Sequence, residues 1–239
     1  PLAYRATLAD YRASGYDRGH MAPNADMPTK AAPADSFSLA NMVPQAPKNN
    51  QQVWRELEEA TRAIVTKQKH DVYVVTGPTF TGKKLKTIGD NKVIVPTSVF
   101  KAIYIPKTGA IGAYYAPNDN SLKVKVVSIC YLEEQLGMNI FPQLTEEQKR
   151  NIYKLPLNAN SVKAHQEIPY GNWDAESQCA EDVSKDQLLA LQKKFKSDSL
   201  SQSSNNSESS QSGMDQSTLD AIVKQLVEAL LQYILQLLR

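Results

Sequence analysis

The fold of this chain is constrained most by residues 71–129, where short β-rich segments follow one another with turn signals between them. The segments lie at residues 72–75, 93–95, 98–105, 110–115 and 122–129. They are separated by the turn-forming combinations Gly77-Pro78, Gly89-Asp90-Asn91 and Pro117-Asn118-Asp119. We therefore expect an antiparallel or mixed sheet at the centre of the protein.

Helical patterns flank this region on both sides. Apolar side chains at helical spacing predict helices at residues 52–69, 131–137 and 145–155. Asn50 is a candidate N-cap for the first, and the last opens with the capping-box sequence Thr145-Glu-Glu-Gln148. Residues 1–36 are expected to be mostly loop, and residues 36–43 predict a short strand. These elements together predict an α+β fold.

The C-terminal region differs in composition from the rest. Residues 197–213 are dominated by Ser, Asn and Gln, which predicts a flexible linker. Residues 214–239 predict an amphipathic helix whose narrow polar stripe consists of Asp220, Lys224, Glu228, Gln232 and Gln236. Such a helix needs a partner, and we expect homo-oligomerisation through residues 217–239 or docking on the protein body. Membrane contact is less favoured because charged residues interrupt the apolar surface. An engineered or accidental extension is the third alternative.

Composition limits the class of protein. Hydrophobic residues make up 41% and charged residues 22% of the chain, which argues against both a disordered protein and a membrane bundle. The formal charge of +2 is unevenly distributed, because residues 1–196 carry +5 and the remainder carries −3. A mildly basic body suits a polyanionic partner, but proteins of many other functions share this balance.

The two cysteines, Cys130 and Cys179, are too few for a disulfide scaffold and lack the spacing of a zinc site. In an exported protein a disulfide between them is expected, and in a cytosolic protein two thiols are expected. The sequence leaves this choice open. No signal peptide is present, and because the chain begins with Pro1 we interpret it as a processed or truncated product.

Two blocks of sequence carry the strongest functional signal. The first is Ser14-Gly-Tyr-Asp-Arg-Gly-His-Met-Ala-Pro23. The second begins with Asn41-Met-Val-Pro-Gln45 and continues with Asn50, Trp54, Leu57, Glu58 and Arg62. Both resemble the DNA/RNA non-specific endonuclease family, and the likeness extends over residues 11–157. The resemblance implies a metal-bound active site of the ββα type, or His-Me finger, within a nuclease domain at residues 1–196.

His20 is the candidate general base. An imidazole has the intrinsic pKa needed to take a proton from water near neutral pH. A histidine that stood alone would more often be a structural turn residue, and the flanking pattern reverses that expectation. The resemblance implies that His20 activates the water that attacks the phosphodiester.

Asn50, Glu58 and Arg62 are the candidates for metal and phosphate binding. The resemblance implies that Asn50 is the direct protein ligand, and an amide oxygen suits Mg²⁺, with Mn²⁺ as a substitute. Glu58 and Arg62 lie four residues apart on one helix face, where an ordinary surface ion pair would contribute little. The resemblance implies instead that Glu58 holds metal-bound waters and that Arg62 contacts the phosphate near the leaving oxygen.

Three further residues of the two blocks have expected roles. Arg18 is expected to bind phosphate or brace the turn, Asn41 to orient His20 by a hydrogen bond, and Asp17 to be structural. The resemblance also implies an active-site arginine before the first block. Arg5 and Arg12 lie there outside any recognisable match, so we expect the domain to be N-terminally short.

Other motifs are weaker. The segment Gly77-Pro-Thr-Phe-Thr-Gly-Lys-Lys84 has the spacing of a nucleotide-binding phosphate loop, but Lys84 stands where Ser or Thr would hold Mg²⁺. A turn is predicted where the helix of such a loop should begin. The cluster of Lys83, Lys84 and Lys86 follows a nucleic-acid backbone or is a solvated loop. His70 and His165 lack partners at metal-ligand spacing and are expected to be structural or on the surface.

The sequence therefore predicts a metal-dependent, sugar-non-specific endonuclease that cleaves DNA and RNA and leaves 5′-phosphates. We expect it to be exported. The alternative is a non-catalytic protein, in which a truncated nuclease body binds nucleic acid and oligomerises through its C-terminal helix. The presence of His20, Asn50 and Glu58 together favours the enzyme.

Overall fold

The structure, a computed structural model, describes residues 5–27 and 32–180. The predicted domain end at residue 196, the predicted linker at residues 197–213 and the predicted helix at residues 214–239 lie outside this part of the chain. Within the described residues, no helix has both the length and the apolar character needed to cross a membrane.

Short helices and strands succeed one another along the chain. The helices are α1 (Leu8–Tyr11), α2 (Ala32–Ser36), α3 (Arg55–Gln68), α4 (Ile129–Leu136) and α5 (Glu146–Lys149). The strands are β1 (Asp17–His20), β2 (Met42–Gln45), β3 (Tyr73–Thr79), β4 (Thr87–Ile88), β5 (Val93–Ile94), β6 (Ser98–Ile105), β7 (Ala110–Pro117), β8 (Lys125–Val127), β9 (Asn151–Tyr153) and β10 (Tyr170–Trp173). π-Helical turns at Asn49–Trp54 lead directly into α3. The predicted α+β class with antiparallel strands is confirmed.

A four-stranded antiparallel sheet in the order β3-β6-β7-β8 forms the centre of the fold. Strand β6 has the ends that the sequence predicted. Successive side chains of a strand point to opposite faces, so this strand supplies two cores. Val99 and Ile103 pack with Leu57 of α3 on one face, while Phe100 packs with Leu132 of α4 on the other.

Strand β3 continues through Gly77-Pro78, where the sequence predicted a turn. A proline is tolerated there because β3 lies at the edge of the sheet, where one side of the strand needs no ladder hydrogen bonds. A Cβ atom on Gly77 would lie 2.9 Å from the ring of Phe100, so a close approach and not a turn requires the glycine. The phosphate-loop interpretation fails for the same reason, since the first glycine of the motif belongs to a strand.

Strands β1 and β2 pair antiparallel, with Asp17 opposite Gln45 and His20 opposite Met42. The sequence predicted a loop for the first and a strand at residues 36–43 for the second, and both predictions were wrong in part. The chain forms α2 up to Ser36 and a 3₁₀ turn at Leu39–Asn41 before it extends. Strands of four residues are too short to show the alternation by which strands are recognised.

We call β1, β2 and α3 the ββα finger. Asn118, which follows β7, attaches this finger to the central sheet. Its Oδ1 accepts a hydrogen bond from the backbone N–H of Ala46 at 2.8 Å, and its Nδ2 donates to the carbonyl oxygens of Pro44 and Pro96 at 2.9 Å each. These bonds fix β2, and with it the start of the helical segment, relative to the sheet.

The end of the described chain is attached to α4. A disulfide joins Cys130 and Cys179, the pairing that the sequence left open. Glu133 is fully buried and accepts hydrogen bonds from the backbone of Ala180 at 3.0 Å, and it forms an ion pair with Lys149 at 3.1 Å. The predicted helix at residues 145–155 is wrong beyond Lys149, because the chain then enters β9 and pairs with β10.

Candidate active site

His20 ends β1 and is half-buried against an aromatic ring. The imidazole meets Phe37 edge-on, with ring centroids 5.0 Å apart. Its Nε2 atom is buried and has no hydrogen-bond partner among the described residues. Burial lowers the pKa of His20, and the positive charge of Arg18 lowers it further. The imidazole is therefore neutral near physiological pH, which is the form that a general base requires.

Arg18 precedes His20 by two positions and is exposed. It forms no ion pair within the described part of the chain. Its charge is close enough to affect the pKa of His20. The side chain thus presents an uncompensated cation beside the candidate base, as the predicted phosphate contact requires.

Asn41 does not hydrogen-bond to His20, contrary to the sequence prediction. Its Oδ1 accepts from the N–H of Ala22 at 2.9 Å, and its Nδ2 donates to the carbonyl oxygens of Ala22 at 2.8 Å and Ser36 at 3.0 Å. These bonds hold together the segments that follow His20 and precede Phe37. Asn41 therefore has no direct contact with the base. It fixes the backbone that follows His20 and the backbone that precedes Phe37.

Asn50 lies within the π-helical turns before α3 and is not an N-cap. Such turns occur often at functional sites. Its Nδ2 donates to Oδ2 of Asp17 at 2.9 Å, and Nε2 of Gln51 donates to the same oxygen at 2.8 Å. Because a carboxylate only accepts, this contact orients the amide with Oδ1 pointing away from Asp17. Asp17, which was expected to be structural, therefore positions the candidate metal ligand.

The donor atoms near Asn50 suit a hydrated Mg²⁺ ion. The described residues contain no group of three or more His, Cys, Asp or Glu side chains that could hold a metal. Oδ1 of Asn50 accepts no hydrogen bond from the described residues. A single neutral oxygen ligand fits an ion that keeps several of its own waters.

Glu58 lies one turn into α3 and is mostly buried. Burial raises the pKa of its carboxyl to about 7, against opposing positive charges led by Lys101. Among the described residues it forms no ion pair within 4.0 Å. A nearby cation would favour ionisation of this carboxyl, which makes it a suitable acceptor for metal-bound waters.

Arg62 does not pair with Glu58, although the two residues are four positions apart. Its Nε donates to Oδ1 of Asp26 at 2.6 Å. Asp26 lies in the 3₁₀ turn after β1, six residues beyond His20. The sequence prediction did not include Asp26, because a lone aspartate in a loop gives no sign of its partner.

Lys101 is a second charged residue that the sequence prediction missed. It lies in the middle of β6 with only 1% of its surface exposed, on the same face as Val99 and Ile103. Its Nζ donates to Thr76 at 3.0 Å and lies 5.5 Å from the centroid of the Trp54 ring. The available signal was a lysine at a position where strand alternation predicts an apolar residue.

A cleft of about 670 Å³ opens between α3 and β3, beside the segment that follows His20. Lys101, Arg62 and Asp26 supply charged groups to its lining. Val65 and Val74 form apolar parts of the wall and are 45% and 41% exposed. The cleft therefore combines the partly exposed Arg62–Asp26 ion pair with apolar walls.

The remaining sequence candidates lie apart from these residues. Lys83, Lys84 and Lys86 are exposed in the loop after β3. His70 is half-buried before β3, and His165 is exposed with a φ angle of +62°. Neither histidine belongs to a metal-binding group within the described part of the chain.

Gly19 gives a direct test of the local packing. A Cβ atom at this position would lie 2.6 Å from Cβ of Gln45, which is fully buried across the strand pair. We expect Gly19→Ala to separate β1 from β2 and to lower the free energy of unfolding by about 1–3 kcal/mol. Thermal unfolding checks this. Gly15→Ala is not a neutral control because its φ is +80°, so Ala9→Ser, at an exposed position of α1, serves for comparison. Wild-type stability in Gly19→Ala would contradict the packing argument.

Comparison with known proteins agrees with this geometry. Residues 1–147 match the family described as DNA/RNA non-specific endonuclease. The chain belongs to this family. The solved structure described as "Crystal structure of the EndoG/EndoGI complex: Mechanism of EndoG inhibition" is similar, with a TM-score of 0.54 and 31% sequence identity over 61% of this chain and 67% of that chain.

Several similar curated proteins carry the names of nucleases. "Nuclease EXOG, mitochondrial" of Danio rerio is 38% identical over 62% of this chain and 49% of its own length. "Endonuclease G, mitochondrial" of Homo sapiens is 37% identical over 59% of this chain and 53% of its own length. "Nuclease C1" of Cunninghamella echinulata var. echinulata is 38% identical over 60% and 64%, respectively. The chain thus spans about half to two thirds of these relatives.

Proposed function

We propose that this protein is a Mg²⁺-dependent endonuclease that hydrolyses DNA and RNA phosphodiesters with little sequence specificity. One observation carries the proposal. The finger presents a neutral imidazole whose Nε2 has no partner within the described residues, while Asp17 on the same strand turns the amide oxygen of Asn50 outward. Membership of the nuclease family supports this function.

His20 performs the proton transfer. The unprotonated ring nitrogen of His20 accepts a proton from the attacking water as the oxygen of that water forms its bond to phosphorus. The lowered pKa keeps the imidazole neutral before the reaction, so one of its two ring nitrogens is free of a proton. Phe37 limits the rotation of the ring, and the bonds of Asn41 fix the backbone on both sides of the pocket.

Asn50 would hold the metal through Oδ1, and Glu58 would accept hydrogen bonds from the waters around it. When bound, Mg²⁺ supplies a positive charge that stabilises the developing negative charge on the phosphate and on the leaving oxygen. Mn²⁺ has similar ligand preferences and is the expected substitute. Asp17 keeps the Asn50 amide in the orientation that binding requires.

Arg18 and Arg62 bind phosphate. Arg18 is exposed and lacks an ion-pair partner among the described residues, whereas Arg62 lies on the cleft wall. Contacts to phosphate position the nucleic acid but do not read its bases, so little sequence specificity is expected. Cleavage of the bond to O3′ leaves a 5′-phosphate.

A degradation assay tests this function. Purified protein is incubated with plasmid DNA or single-stranded RNA in Mg²⁺ or in EDTA, and the product ends are labelled with and without prior phosphatase treatment. We expect both substrates to be cut only with Mg²⁺, and labelling by a 5′-kinase only after phosphatase treatment. Binding without cleavage would support the non-catalytic alternative, and products that accept label directly would contradict the assigned ends.

We also propose that the protein is exported. The disulfide between Cys130 and Cys179 supports this, because such bonds persist in oxidising compartments and are rare in the cytosol. Cell fractionation of the source organism, with the thiol state measured by mass spectrometry, tests the location. A reduced cytosolic protein would contradict it.

A further inference from the structure

The ion pair between Asp26 and Arg62 has a geometry that leaves the arginine able to bind a second anion. The two side chains are 37% and 30% exposed, and both line the cleft. The contact uses Nε of Arg62, and neither Nη atom donates a hydrogen bond to the described residues. A guanidinium held by a carboxylate at Nε keeps its outer edge for a phosphate, which accepts two parallel hydrogen bonds.

A second carboxylate competes for the same cation. Glu58 precedes Arg62 by one helical turn, which is the spacing at which ion pairs form along a helix. The two are close enough for each charge to influence the other, since Arg62 lowers the pKa of Glu58, yet they form no ion pair within 4.0 Å. Arg62 is paired with Asp26 instead, a residue of the 3₁₀ turn after β1.

We propose that Asp26 is a positioning residue for the cleavage reaction. It holds the Arg62 guanidinium toward the cleft, where the Nη groups meet the phosphate, and it prevents Arg62 from closing onto Glu58. If Arg62 covered the carboxylate of Glu58, that carboxylate would be a poorer acceptor for the waters of a bound cation. This inference rests on the proposed nuclease function and assigns to the loop after β1 a part in substrate binding.

A double-mutant cycle tests the proposal. The variants are Asp26→Ala, Arg62→Ala and the two combined, with kcat and KM measured on DNA in Mg²⁺. If Asp26 acts through Arg62, Asp26→Ala lowers kcat/KM about tenfold, and adding it to Arg62→Ala has little further effect. Asp26→Asn keeps an oxygen acceptor of the same shape and is expected to lie between wild type and Asp26→Ala. Multiplicative losses in the double variant would overturn the proposal.

Two further measurements separate positioning from folding and from the proposed chemistry. Asp71→Ala removes an exposed carboxylate just before β3 and is expected to leave both kcat/KM and stability unchanged. Binding of a DNA duplex in EDTA needs no hydrolysis. Asp26→Ala should weaken this binding severalfold when Arg62 is present and should not weaken it further in the Arg62→Ala variant. If wild type fails to cleave, the proposed function fails, but this binding cycle still decides the role of Asp26. Equal binding by wild type and Asp26→Ala would contradict that role.

Discussion

Replacement of His20 with alanine is expected to lower kcat for DNA cleavage about 10²–10⁴-fold, the range that general-base catalysis contributes. Nε2 of His20 is a buried nitrogen that the described residues leave without a partner, and burial together with Arg18 keeps it neutral. Removing the imidazole leaves the attacking water without a proton acceptor. DNA affinity in EDTA should change little, because the imidazole is neutral and Arg18 remains in place.

His165→Asn is the matched control for this substitution. His165 is exposed, and its φ of +62° is one that asparagine adopts readily. We expect this variant to retain wild-type kcat and stability. If the His20 variant retained more than about a tenth of wild-type kcat, general-base catalysis by this residue would be refuted.

Glu58→Gln is expected to lower activity and raise stability. Glutamine keeps one neutral acceptor oxygen but loses the charge, which weakens the hold on metal-bound waters, and changes to such outer contacts typically cost about 10–100-fold in activity or metal affinity. The carboxyl has a pKa of about 7 in the folded protein, against an ordinary value of 4.5. Its ionisation therefore opposes folding, and removing it increases the free energy of unfolding by up to about 3 kcal/mol.

The sign of this stability difference depends on pH in a defined way. Below about pH 4.5 the carboxyl is neutral in both folded and unfolded chains, and the two proteins should have similar stability. The advantage of Glu58→Gln grows as pH rises and is complete above about pH 7. The attraction between ionised Glu58 and Lys101 opposes the effect of burial and is already included in the pKa of about 7.

Denaturant unfolding in EDTA at pH 4.5 and pH 8 measures this difference. Glu59→Gln is the control, because Glu59 is the next residue of α3 and its side chain is 50% exposed. We expect the control to change stability by less than about 0.5 kcal/mol at both pH values. A Glu58 variant that is no more stable than wild type at pH 8 would show that burial does not strain this carboxyl.

The sequence named candidate chemical groups but not their contacts. His20, Asn50 and Glu58 could be named because the family resemblance assigns their roles. The amide of Asn41 was expected on the imidazole, and it binds backbone instead. Hydrogen-bond partners between distant segments depend on how strands and loops are brought together, and local spacing does not encode this.

In the fold, too, local elements were predicted better than contacts between distant segments. Strand β6 was predicted with its observed ends because a long apolar segment is a strong local signal. Strand β1 was missed because its sequence, three polar residues and Gly19, has no apolar alternation. The close approach of Gly19 to Gln45 becomes evident only when β1 lies beside β2. Asp26 and Lys101 were missed for a related reason, because the partners that give them meaning lie on α3 and in the π-helical turns before it.

The Mg²⁺ dependence of plasmid cleavage by wild type and Asn50→Ala tests the central claim most directly. The claim is that the Asn50 amide, oriented by Asp17, holds the metal with which His20 works. We predict that wild type is inactive in EDTA and that Asn50→Ala needs at least about tenfold more Mg²⁺ for half-maximal cleavage. Undiminished cleavage by wild type in EDTA, or superimposable Mg²⁺ curves for the two proteins, would contradict the account.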